Sequence, residues 1–176
     1  LSDVELYEDY PSRYLADASR RRRWIRGDWQ IARWLLPRVP ISNGTSIANP
    51  LSGLSRWKIL DNLRRSLVPP AMLALVLLGW LLPWSAFAAT STLLLLTIIA
   101  APHALSAVGD LARKPSDMRW DTHLRAFRPA LVRRSGQILY ALVFLPHETL
   151  ISLDAIARTM TRVIWTRRRM LEWTTS

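Results

Sequence analysis

The sequence predicts a mainly α-helical membrane protein fragment, built of amphipathic interface helices and a transmembrane helical hairpin. Three observations predict it. First, no Asp, Glu, Lys or Arg occurs from Ser66 to Gly109. At about 1.5 Å of rise per residue and about 20 residues per crossing, this block is long enough for two spans. Second, basic residues flank it: Arg56, Lys58, Arg64 and Arg65 before, and Arg113, Lys114, Arg119, Arg125, Arg133 and Arg134 after. The turn between the two spans has no Lys or Arg. Third, hydrophobic residues make up 50% of the 176 positions, yet the formal net charge is +11. A soluble nucleic-acid binder of that charge rarely carries so long an uncharged block. Cysteine is absent, which excludes disulfides and cysteine-based zinc sites. The chain opens on Leu1 and an acidic run, Asp3, Glu5, Glu8 and Asp9. It therefore reads as an internal piece of a longer polypeptide.

The elements follow in order. Residues 1–11 read as a short extended segment ending at Pro11. A helix is expected from Ser12, its cap, to about Leu36, because Pro37 and Pro40 stop it. Residues 1–36 thus form one unit. Residues 37–53 are rich in Pro, Ser, Asn and Gly and read as a loop. Over 54–65, Leu54, Trp57, Leu60 and Leu63 recur about every three positions, opposite Arg56, Lys58, Arg64 and Arg65. That pattern suits a helix lying on a membrane surface. The hairpin at 66–109 has spans near 67–86 and 89–108, with Pro83, Trp84 and Ser85 between them. Two crossings return the chain to its starting side, and the positive-inside rule puts both flanks in the cytoplasm.

Residues 110–135 form a polar, basic connector. Residues 136–176 form an apolar to amphipathic helix and a linker. The stretch 136–165 is long enough to span, but Glu148 and Asp154 would each cost roughly 2.5–3.5 kcal/mol near the bilayer centre. An interfacial helix or a helix packed on protein is preferred. A third span stays open if the two acids face a polar cavity.

The most informative string is Arg20-Arg21-Arg22-Arg23-Trp24-Ile25-Arg26-Gly27-Asp28-Trp29-Gln30-Ile31. Three chemistries suit it. A juxtamembrane basic patch would attract anionic lipid at about 1 kcal/mol per cation. Interleaved cations and aromatics also suit nucleic acid, but the hairpin that follows makes a membrane site the better reading and no nucleic-acid partner is expected. A sugar-nucleotide site needs cations for a diphosphate leaving group and a flat aromatic surface for a sugar's C–H face. His103, His123 and His147 show no metal-ligand spacing, so no metal site is expected within the chain. No phosphate loop or catalytic triad stands out.

The string resembles the Gln-x-x-Arg-Trp motif of membrane-embedded processive glycosyltransferases of the cellulose-synthase type. That motif is commonly followed by x-Arg-Gly and then Gln-Ile. Here Arg20 stands where Gln is usual. Gln30-Ile31-Ala32-Arg33-Trp34 also satisfies the motif literally, but Gly27 and the upstream segment fit only the first register. Residues 2–14, 49–67 and 166–175 narrow the likeness further, so that the chain resembles cyclic β-1,2-glucan synthases over nearly its whole length.

That resemblance implies part of a bacterial inner-membrane, multi-pass enzyme using UDP-glucose to build a β-1,2-glucan that is later cyclised. It implies Arg23 on the diphosphate and Trp24 under the acceptor glucose. Arg20 would add a second cation or a bond to the acceptor. No catalytic residue is expected within the chain. The catalytic base and the Asp-x-Asp site for a divalent cation (Mg or Mn) belong upstream of Leu1, so the chain alone should be inert. The implied partners are UDP-glucose, the glucan acceptor, membrane lipid and the rest of the parent polypeptide. A rival of another class stays open: a small basic membrane protein that binds anionic lipid or scaffolds partners without catalysis.

Overall fold

The computed structural model describes residues 13–40, 45–82 and 85–166. Helix α1 (Tyr14–Gln30) begins at Arg13, which is extended and offers no side-chain cap; Ser12 lies outside the described residues. Asp17 in the first turn compensates. It pairs with Arg20 at 3.1 Å and Arg21 at 3.0 Å, three and four positions on. Such spacing sets opposite charges on one helix face, and an acid suits the positive end of the helix. The α-helix stops at Gln30, and a 3-10 turn over Ala32–Leu35 takes its place. Leu36 is extended, as the residue before a proline prefers to be.

Within the segment expected as a loop, β1 (Arg38–Pro40) and β2 (Ser46–Ala48) pair antiparallel, Val39 opposite Ile47. Val39 is fully buried. Asn49 fastens the pair to the preceding turn. Its side-chain amide donates to the carbonyls of Trp34 at 2.6 Å and Leu36 at 2.8 Å. Its carboxamide oxygen accepts from the Leu51 amide at 2.9 Å. Strands of three residues are too short for alternation to register in a sequence.

Helix α2 (Gly53–Leu81) follows, and the Ser52 hydroxyl accepts from the Ser55 amide at its start. The expected interface helix and first span are one continuous helix that passes through Pro69 and Pro70. Each proline removes a rung of the hydrogen-bond ladder. This is where the chain divides into two compact units: one holds residues 1–68 and 150–176, the other 69–149.

In the second unit, α3 (Ser85–Ala112) packs on the end of α2 and on the first part of α4 (Trp120–Thr161). Val76, Leu95 and Leu145 form the core, with Met72, Leu73, Ile99 and Leu142 around it. A Cβ built at Gly79 would stand 2.0 Å from Ser91 Oγ. Only a bare backbone allows this approach, as is common between membrane helices. One helical step on, Trp80 Nε1 donates to Thr92 Oγ1 at 3.0 Å. Thr90, Thr92 and Thr97 turn their hydroxyls back to carbonyls of the preceding turn, which satisfies them without water. Leu81, Leu93, Leu105 and Val108 face outward, each at least 65% exposed. Residues 83 and 84 of the connecting turn lie outside the described residues.

The connector is shorter than expected, because α4 begins at Trp120 and runs through Pro129 and Pro146. Asp121 in its first turn suits that helix end. Before it, Lys114 lies 5.5 Å from the Trp120 ring and donates to the carbonyls of Pro115 and Met118. A π-helical turn, Arg162–Thr166, closes the described chain. The segments Gly53–Leu81, Ala86–Ala112 and Trp120–Thr166 are each long and apolar enough to cross a membrane. The third includes both acids. Asp154 is neutralised by Arg158 at 2.6 Å and lies 3.7 Å from Arg22. The protein is mainly α-helical, and its three apolar helices fit a membrane.

Candidate functional site

Helix α1 has two faces with different work. At about 100° per residue, Arg20, Arg23, Trp24 and Gly27 fall on one side, and Ala18, Arg22 and Trp29 on the other. The second side is the anchored one. Ala18 is buried, Arg22 faces Asp154, and Trp29 Nε1 donates to Ser66 Oγ of α2 at 2.9 Å. Ser66 in turn donates to the Leu63 carbonyl at 2.7 Å. At the edge between the faces, Asn62 Nδ2 donates to Asp28 Oδ1 at 3.2 Å. Burial pushes the Asp28 carboxyl above its usual range; the Asn62 bond and the Arg65 charge act against that rise.

On the first side, Trp24 is 57% exposed. The Arg20 guanidinium lies over its ring, 4.9 Å from the centroid, a cation–π geometry. The same guanidinium pairs with Asp17, a carboxylate it shares with Arg21. Arg20 thus has partners within its own helix. Arg23 is half-buried beside Trp24 in sequence. Gly27, one turn on, has nothing within 4 Å of where a Cβ would stand. A side chain at this position would meet open space. This helix can offer a diphosphate a cation and a sugar a platform within one turn.

The other literal motif is not on one α-helical face. Gln30 ends α1, while Arg33 and Trp34 lie in the 3-10 turn. The Trp34 carbonyl is engaged by Asn49. Arg56 Nη2 donates to the Leu35 carbonyl at 2.6 Å, which ties this turn to α2.

The whole chain is similar to a segment of a cyclic β-(1,2)-glucan synthase. Cyclic β-(1,2)-glucan synthase NdvB of Rhizobium meliloti is 36% identical over 179 aligned residues, which cover 100% of this chain and 6% of NdvB. The resemblance expected from the Arg-Trp run and its flanks is borne out across the full alignment. No family model matches the chain, and no solved structure matches it. The chain spans only 6% of the length of that relative, NdvB.

Among the described residues no three His, Cys, Asp or Glu side chains group as metal ligands. The acidic run Asp3, Glu5, Glu8 and Asp9 and the basic run 167–169 lie outside the described residues. Sequence reasoning missed three parts of the site: the Trp29–Ser66 tether, the Asn62–Asp28 contact and the open surface at Gly27. Gly27 was visible only as a marker of register. A tryptophan five positions after Trp24, on the opposite face, was the one signal of the tether.

Proposed function

We propose that α1 is the acceptor-side helix of a UDP-glucose-dependent glycosyltransferase that elongates a β-1,2-glucan, later cyclised. The observation that carries this reading is Trp24, exposed on α1 next to Arg23 in sequence and one turn before Gly27, which has nothing within 4 Å of a Cβ. The terminal glucose of the acceptor stacks on the indole. Its hydroxyl oxygen attacks the donor anomeric carbon from the side opposite the phosphate. The carbon–oxygen bond to the diphosphate breaks, the hydroxyl proton passes to a carboxylate, and UDP leaves with the electron pair. Arg23 neutralises charge developing on that diphosphate.

The carboxylate base and the ligands of a divalent cation are supplied by parts of the parent polypeptide outside this chain. When bound, that cation offsets charge on the leaving group. Arg20 is a positioning residue in this reading: it fixes the ring plane of Trp24. Three candidate spans anchor the helix at the inner membrane. The Lys and Arg excess on both flanks of the hairpin supports a cytoplasmic position for those flanks.

Trp24→Ala in the full-length polypeptide tests the reading. Glucan elongation from UDP-glucose in membrane vesicles is expected to fall at least a hundredfold, with the amount of membrane-inserted protein unchanged. Elongation that survives at the normal rate shows that Trp24 is not the acceptor platform, whereas a wild-type full-length polypeptide without UDP-glucose-dependent elongation favours the non-catalytic lipid-binding or scaffolding rival.

A further inference from the structure

Arg125, Arg128 and Arg133 of α4 line an open groove of about 530 Å³, floored by Pro129 and Val132. At about 100° per residue the five fall on one helix face. Arg134 falls on the opposite face, where it pairs with Asp110 of α3. The groove therefore lies on the side of α4 turned away from that contact. No carboxylate among the described residues pairs with its three arginines, in contrast to Arg119, which has Asp121, and Arg134. Three guanidiniums on one face without a counter-charge repel one another, and an anion relieves that repulsion.

Beyond the groove the same face changes character. Gly136 leaves an opening, with nothing within 4 Å of its Cβ position. Leu139, Tyr140 and Val143 then follow, exposed by 62%, 47% and 63%. From Val132 to Val143 the helix rises about 16 Å, about half of a ~30 Å hydrocarbon core. A charged groove capping an apolar stripe of that length matches one molecule with an anionic head and an acyl tail. A free phosphate would use the arginines and leave the stripe bare.

We propose that this face of α4 binds one anionic phospholipid, with its head-group phosphate held by Arg125, Arg128 and Arg133. Its acyl chain lies along Val132, Leu139 and Val143. The site uses no residue of α1 and does not depend on how α1 is read.

The test uses the full-length polypeptide, purified in mild detergent and exchanged into nanodiscs of equal phosphatidylglycerol and phosphatidylethanolamine. Native mass spectrometry after lipid release counts what stays bound. The wild type is expected to retain phosphatidylglycerol over phosphatidylethanolamine roughly tenfold, a conservative figure for three cations near a membrane surface. Arg125→Gln/Arg128→Gln/Arg133→Gln should bring that ratio to about one, while Arg113→Gln, a loss of charge elsewhere, leaves it unchanged. Leu139→Gln/Val143→Gln should reduce lipid retention and leave inorganic phosphate unable to replace it. All substituted positions are on exposed surface, and an unaltered elution volume identifies the variants that fold. Equal retention of both lipids by the wild type, a triple variant that keeps its phosphatidylglycerol, or displacement of the lipid by inorganic phosphate would each overturn the proposal. The single variant Arg128→Gln, expected to lower the ratio about threefold, decides the matter if the triple variant elutes aberrantly.

Discussion

The two compact units differ in the balance of their contacts. In the unit that carries α1, specific polar contacts join elements distant in sequence: Trp29 to Ser66, Asn62 to Asp28, Asn49 to Trp34 and Leu36, Arg56 to Leu35. In the unit of residues 69–149, the helices meet at an apolar core of Val76, Leu95 and Leu145 and at the bare backbone of Gly79, with Trp80–Thr92 and Arg134–Asp110 as polar links between helices. The hydroxyls of Thr90, Thr92 and Thr97 donate within their own helix. A unit that presents a binding face needs direction, which hydrogen bonds supply. A helix hairpin in lipid gains nothing from burying apolar surface against equally apolar tails, so it depends on close fit.

Substitutions sharpen the contrast. The largest effect is expected at Gly79. Gly79→Leu drives a side chain into Ser91 and should destabilise the hairpin by about 3 kcal/mol or more, read as a lower melting temperature in detergent; Gly79→Ala should cost less. A Leu variant that melts with the wild type would show the fit to be loose. Next is Asn49→Ala, which leaves two carbonyls without their donor. It should cost about 2 kcal/mol and raise hydrogen exchange across residues 34–40, with exchange in α3 unaltered. Trp29→Phe keeps the ring but loses the bond to Ser66. The expected cost is about 1 kcal/mol, and, if α1 carries the acceptor as proposed, slower elongation by the full-length polypeptide, because the helix carrying Trp24 is less well held.

The smallest effect concerns pH. Burial raises the Asp28 pKa, so the folded chain holds that proton more tightly than the unfolded chain. The ionised carboxylate costs stability at neutral pH. The cost is relieved as pH falls through the raised value and is fully gone below about 3.8, where the unfolded carboxyl is also protonated. Asp28→Asn should be slightly more stable at pH 7, with the advantage vanishing at acidic pH. Matched melts across that range test it, and a variant less stable at every pH would refute the sign.

What was legible in the sequence is what repeats or what is missing locally. The absence of charge over 66–109 gave both spans, and the Arg-Trp run gave the register of α1 and the likeness to glucan synthases. Fusion of the interface helix with the first span was hidden, because the loss of charge at Ser66 marks a change of surroundings and not a break in the helix. The third apolar helix was hidden behind Glu148 and Asp154; the Asp154 charge is met by Arg158, one turn on, and by Arg22, far away in sequence. The β1–β2 pair and the Trp29 tether depend on partners that no periodicity reveals. Trp29 and Ser66, for example, are 37 positions apart.

The guanidinium over Trp24 makes the indole's two sides chemically different. One is covered by a guanidinium that also pairs with Asp17. If α1 carries the acceptor as proposed, a sugar laid on Trp24 meets two unlike sides of the ring, and Arg20, in the place where glutamine is usual, sets which way up that sugar lies.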